Sequence, residues 1–285
     1  MERAIKDLCQ LSDADLFREA ATGISHIVDS ATLLDSAAHK LTGHDHHRAA
    51  RIIGNFAEEE AAKGLFLLDA VRCPGNRSAD KARTLGYFYD HLAKGIYAEV
   101  YHWHPADFAE VARSVENCRE EFYLDGPNDI DWIFPNRITQ RREDALYVGY
   151  VREDSEDAGQ AERYWHHPHS ALLLPYWTPP AVSLIGALHG AGVTTENGLD
   201  VVAELWRAFE PKPDTRIEEL ERLNWRTIET LSERQLLAVD DGEINGLIRD
   251  RWLFPLWPLD LRKKKVERAK LREIQERWTP DYYGA

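Results

Sequence analysis

The sequence predicts a mainly α-helical fold, an antiparallel helical bundle followed by a further helical, Trp-rich C-terminal part. Three observations carry that prediction. Apolar residues recur at helical spacing along the first 120 or so positions. Turn and capping residues punctuate them at short intervals. Only one stretch, Ala145-Leu146-Tyr147-Val148-Gly149-Tyr150-Val151, reads as a strand.

Ser12-Asp13-Ala14-Asp15 is a capping-box-like start for the first helix. Leu16, Ala20, Ile27, Ala31, Leu34, Ala38 and Leu41 mark its apolar stripe, which ends at Gly43. Asp45 is placed to cap a second helix running to Arg72, where Cys73-Pro74-Gly75 stops it. Ser78 opens a third, expected to reach Trp103, and Pro105 a fourth that carries Phe108, Val111, Val115 and Phe122. Short turns between such helices favour antiparallel neighbours. Residues 1–125 are therefore read as the bundle. Residues 126–180 are read as an irregular connector holding the strand-like run, an acidic loop from Asp154 to Gln160, and a proline-rich piece from His166 to Pro180. Residues 181–285 return to helix at about Ala181–His189, Glu196–Phe209, Thr215–Val239 and Asp260–Trp278. Trp206, Trp225, Trp252, Trp257 and Trp278 lie in this last part, as packing groups or as a docking surface.

Composition narrows the class. The chain has 285 residues, 44% hydrophobic and 29% charged, enough for a real core. It has no apolar signal core and no run long enough to span a bilayer. Cys9, Cys73 and Cys118 are scattered, without a CxxC, which fits a reducing cytoplasm and neither a disulfide framework nor a zinc ribbon. The net charge of −14 argues against indiscriminate nucleic-acid binding. Arg262 to Arg277 runs against that balance, with eight Lys/Arg to three Glu, as a solvated face or a contact for phosphates or an acidic partner.

The chemistry gathers on two helices. Advancing about 100° per residue from Ile52, Phe56, Lys63 and Leu67 share one stripe, Glu60 falls inside it and Glu59 on its edge. On the third helix, Phe88, Leu92, Gly95 and Ile96 define the inner face. His91, Glu99 and His102 fall within or beside that face, and Lys94 lies just off it. Buried charge is costly unless paired, so Glu59, Glu60, Lys63, His91, Glu99 and His102 are expected to assemble one polar pocket. A structural network, with Glu59 and Lys63 as an ordinary i,i+4 pair, is one reading. Acid–base chemistry on a nucleic-acid phosphate is another. There His91 titrates, Lys63 or Lys94 stabilises charge, and Glu59 or Glu60 orients. A third notes Glu99-Val100-Tyr101-His102 as a Glu-x-x-His element of the di-iron kind, but it stands alone, so neither metal nor cofactor is expected. The runs His44-Asp45-His46-His47 and His166-His167-Pro168-His169 lack ligand companions at metal spacing.

Phe56-Ala57-Glu58-Glu59-Glu60-Ala61-Ala62-Lys63 resembles the EE-x-x-K helix of the AbiV family of bacterial abortive-infection proteins. Phe88-Tyr89-Asp90-His91-Leu92-Ala93-Lys94 is similar to that family's H-x-x-K helix. Arg142-Glu143-Asp144-Ala145-Leu146-Tyr147-Val148 resembles the segment that follows it, and Gly192 to Leu199 with Trp206 a later one. The resemblance covers roughly residues 15–151, and 181–209 more weakly. It implies a HEPN-like helical bundle, commonly dimeric, in phage defence or a toxin–antitoxin setting. HEPN ribonucleases cleave RNA without metal through an Arg and a His spaced R-x(4–6)-H. Here Arg83 precedes His91 by one residue too many, and Arg163 precedes His169 across Pro168. The expected function is thus a cytoplasmic defence protein that cleaves RNA at His91, Lys94, Lys63, Glu59 and Glu60, with Arg83, Glu99 and His102 as further pocket residues. The alternative is a non-catalytic module that binds a phage or host protein and uses the pocket structurally.

Overall fold

A computed structural model describes residues 4–44, 46–125, 131–134, 136–154, 161–166 and 175–265, together with 269 and 273. The fold is mainly helical. Helix α1 (Asp13–Thr42) starts where the Ser12 hydroxyl accepts the Asp15 N–H, and it buries Leu16, Phe17, Ala20, Ile24, Ile27, Val28, Ala31 and Ala38. Helix α2 (His47–Arg72) packs along α1 across a four-residue connection. Small residues let other elements approach α2 closely. A Cβ at Gly54 would sit 2.0 Å from the Tyr176 ring, so only glycine admits that ring. Asp45, expected to cap α2, lies outside the described residues, and His46 holds the cap position without a side-chain hydrogen bond.

The expected third helix is two. Helix α3 (Ser78–Gly86) gives way to a 3-10 turn, Tyr87–Tyr89, and helix α4 (His91–Val100) begins afresh. Asp90 causes the break: its backbone is extended, and its carboxylate accepts the Ala93 N–H at 3.0 Å. The fourth expected helix is also shorter. Helix α5 (Phe108–Arg119) is capped by Asp107 instead of opening at Pro105, and Phe122 falls in strand β1 (Glu120–Asp125). Strand β1 pairs antiparallel with β2 (Asp131–Phe134).

The strand-like run divides in two. Ala145 and Leu146 end helix α6 (Arg137–Leu146), and only from Gly149 does the chain become strand β3 (Gly149–Asp154), antiparallel to β4 (Ala161–His166). Most of the acidic loop and His167 to Leu174 lie outside the described residues.

Helices α7 (Pro180–Gly190) and α8 (Glu196–Trp206) fall where the sequence predicts them. Helix α9 (Ile217–Glu233) ends before Val239, and α10 (Gly242–Arg251) was not anticipated. Residues 260–265 are loop and a short strand, β5 (Lys264–Lys265), beside β1, instead of the start of a helix; most of the basic segment beyond is outside the described residues. Trp206, Trp252 and Trp257 are buried, whereas Trp225 is exposed and Trp278 is outside the described residues. One apolar cluster draws on α1, α2, α4, α5 and α7–α10. No helix among the described residues is long and apolar enough to cross a membrane.

Candidate functional site

Helices α2, α4 and α6 wall a polar cleft. Glu59, buried on α2, is its centre. One of its oxygens accepts His91 Nδ1–H and Lys94 Nζ, each at 2.7 Å, and the other accepts Arg142 Nε at 3.1 Å. These are charge-assisted bonds from three cationic or polarisable donors onto one carboxylate. Burial pushes the Glu59 carboxyl up, but hydrogen bonds and charge from Lys94, then His91, carry it below the usual glutamate range. The Lys94 side chain is only 5% exposed, whereas that of His91 is 56% exposed. Buried Lys94 fixes the charge state, and exposed His91 is the member that can meet a ligand.

Local structure sets each of these positions. The Asp90 cap makes His91 the first residue of α4, with Lys94 one turn on. Arg142 arrives on α6, whose start is fixed by buried Asn136. Its side-chain carbonyl accepts from the Ile138 and Thr139 N–H groups, and its amide donates to the Cys118 carbonyl at 2.6 Å. At the other end Arg48 donates to the Ala145 and Leu146 carbonyls, satisfying acceptors that a helix C-terminus leaves open. Gly95 lets α4 and α6 meet: a Cβ there would lie 2.3 Å from Ile138 Cγ2.

The rim carries further pairs. Arg141 donates to Glu99 at 2.8 Å, and His102 meets Glu58 at 2.5 Å. The Glu58 hydrogen bond raises the His102 pKa, against a smaller opposing effect of burial. The cleft, lined also by Asn55, Leu92 and Thr139, has a cavity volume of about 100 Å³. Among the described residues no group of three or more His, Cys, Asp or Glu side chains is placed to hold a metal ion.

No family model, characterised protein or solved structure matches the chain.

Of the residues expected in the pocket, the structure brings Glu59, His91 and Lys94 into direct contact and puts Glu99 on the lining. The Glu59–Lys63 pair does not form. Lys63 bonds Glu60 instead, and its ammonium lies 5.4 Å from the Phe88 ring centre. His102 joins through Glu58. Arg83 is elsewhere: it bonds the Trp257 carbonyl and pairs with Asp80. The 3-10 turn interrupts the chain between Arg83 and His91, so the two residues stand on separate helices, α3 and α4. Arg141, Arg142 and Glu58 were not anticipated. The signal for the two arginines was a pair one helical turn and more past Asn136, a residue type that caps helices.

Proposed function

We propose that this chain is an effector of bacterial phage defence that cleaves RNA at the cleft between α2, α4 and α6. One observation carries the reading. A buried carboxylate, Glu59, takes the Nδ1–H of an exposed histidine, His91, and so presents Nε2 as a proton acceptor toward the cleft. The resemblance to AbiV proteins in the EE-x-x-K and H-x-x-K helices supports the defence setting and a HEPN-like bundle.

The chemistry follows from the donors present. His91 Nε2 takes the proton of an RNA 2′-hydroxyl, whose oxygen attacks the adjacent phosphorus. The P–O5′ bond breaks, the imidazolium returns the proton to the departing 5′-oxygen, and a 2′,3′-cyclic phosphate remains. Glu59 orients the ring and stabilises the imidazolium. Lys94 holds Glu59 ionised. Arg141, the exposed member of its pair with Glu99, exchanges that carboxylate for the phosphate. Arg142, bonded to Glu59, keeps positive charge beside the reacting group.

A second reading has its own observation. Glu59 is saturated by groups from two other helices, so the cluster would also serve as a purely structural clasp, with a phage or host protein bound elsewhere. Incubating the purified protein with single-stranded RNA in a chelator distinguishes the two. The cleavage reading expects 2′,3′-cyclic phosphate ends from wild type and none from a His91→Ala protein that stays folded. Equal product from both proteins, or none from wild type across several RNAs and infected-cell extracts, would falsify it.

A further inference from the structure

Asn55 stands on α2 one helical turn before Glu59, so the two side chains share a face of that helix. It lines the cleft and is half-buried there. Among the described residues its side chain makes no hydrogen bond. The other polar side chains of the lining have partners within the protein. Glu58 holds His102, Glu99 holds Arg141, and Glu59 holds His91 and Arg142. The Thr139 hydroxyl donates to the Asn136 side-chain carbonyl at 3.4 Å. Asparagine suits this position poorly on helical grounds. Its amide competes with the backbone, so it ranks low in helix interiors. A half-buried amide without a partner also gives up water for nothing in return. A ligand that bonds the amide recovers both costs.

The walls around Asn55 describe that ligand. Leu92 on α4 and Ile138 on α6 pack against the apolar core and also face the cleft. Gly95 keeps the two helices close, since a Cβ there would lie 2.3 Å from Ile138 Cγ2. Apolar walls beside an amide suit a flat heterocycle with a donor next to an acceptor on its edge. A nucleobase held out of its stack is bound in this way. The amide offers one donor and one acceptor side by side. It meets uracil at N3–H and O4 and, after a half-turn of the amide, cytosine at N3 and the N4 amino group. Purine edges carry similar pairs, so size makes the distinction. The cavity holds about 100 Å³, whereas benzene occupies one of about 150 Å³. A single ring therefore fills the slot and reaches its mouth, and a fused second ring has no place.

We infer that Asn55, with Leu92 and Ile138, forms a base-recognition subsite in the cleft that selects a pyrimidine ribonucleotide. The inference rests on the cleavage reading for the sugar and phosphate, which His91 and Arg141 meet, and adds the identity of the base.

Two measurements separate the subsite from the reaction. The first is calorimetric titration of the full-length wild-type protein with uridine, cytidine, adenosine or guanosine 3′-monophosphate, none of which carries a scissile diester. The pyrimidine nucleotides are expected to bind about tenfold more tightly than the purine ones. Asn55→Ala should remove about tenfold of pyrimidine binding, the worth of one net hydrogen bond, and leave purine binding as it was. Ile138→Ala widens the slot without touching the amide and should narrow the gap by admitting purines. The second measurement is cleavage of DNA oligonucleotides that hold a single ribonucleotide, so that one 2′-hydroxyl is available. Wild type should cut at U or C faster than at A or G, and Asn55→Ala should level the rates. Equal binding of all four nucleotides, no binding, or a pyrimidine preference that survives Asn55→Ala would overturn the inference. Cleavage at equal rates beside all four bases would overturn it and leave the cleavage reading standing. An Asn55-dependent preference for pyrimidine nucleotides in a protein that cleaves nothing would uphold the subsite and defeat the cleavage reading alone.

Discussion

Glu59 is the residue on which the site turns, because it is 8% exposed yet accepts from His91, Lys94 and Arg142. Removing one buried partner leaves charge desolvated and less compensated. Lys94→Met is therefore expected to cost about 1–3 kcal/mol, read as a lower urea midpoint. His91→Ala removes a largely exposed ring that water can replace on Glu59, and should cost less, about 1 kcal/mol or under. If Lys94→Met proved neutral, Glu59 would have to be held by its other partners alone. The two titrating pairs of the cleft oppose each other in pH. The Glu59 pKa is lowered, so its contribution is full above the ordinary glutamate range and is lost as pH falls through the lower folded value. Glu59→Gln should flatten the acid limb of the stability curve. The His102 pKa is raised by Glu58, so its contribution is full below the ordinary histidine value and is lost as pH rises through the higher folded one. His102→Gln should flatten the curve near and above neutrality, as measured by melting temperature against pH.

At the scale of the element, the cleft depends on how closely α4 approaches α6. Gly95 permits that approach, since a methyl group there would lie 2.3 Å from Ile138 Cγ2. Gly95→Ala should push α6 outward, costing about 1–3 kcal/mol from overpacking and lowering RNA cleavage. Wild-type cleavage in Gly95→Ala would show that α6 does not set the catalytic geometry. The same two helices mark what the sequence disclosed. The stripes of α1 and α2 were readable because burial on one face leaves a helical period, and so was the intrusion of Glu59 upon that of α2. The break at Asp90 was hidden, because the apolar positions from Thr84 to Ile96 continue in phase through the 3-10 turn. Helix α6 was hidden for the opposite reason. It is short and polar, fixed at its ends by Asn136 and Arg48, so no apolar stripe announces it. Arg142 was missed with it. The partner of Glu59 was consequently assigned to Lys63, which lies within helical reach but bonds Glu60.

Across the whole molecule, the N-terminal helices and the Trp-rich C-terminal part are joined by a second buried ion pair that the cleft does not use. Asp69 and Arg72, both fully buried on α2, bond each other. Arg72 donates to the Leu253 carbonyl at 3.1 Å, and Asp69 accepts the Leu256 N–H at 2.7 Å. The guanidinium also lies 4.6 Å from the Trp206 ring and 5.0 Å from that of Trp252. Burial pushes the Asp69 carboxyl up, opposed by Arg72, so the arginine is what makes an ionised carboxylate tolerable there. Arg72→Met strands that carboxylate and should cost about 3–5 kcal/mol, a large share of the roughly 5–15 kcal/mol that domains of this kind possess. Converting both residues, Asp69→Leu with Arg72→Met, should recover only part of the loss, because the Leu253 carbonyl and the Leu256 N–H would remain buried without partners. The helices on both sides of the pair share one apolar cluster. Urea unfolding followed by tryptophan fluorescence, weighted toward the C-terminal part because five of the nine tryptophans lie there, should therefore coincide with unfolding followed by far-ultraviolet circular dichroism, in wild type and in both variants. Separated transitions in wild type would mean that the C-terminal helices melt apart from the bundle, and the pair would then be a local clasp instead of a bond across one cooperative core.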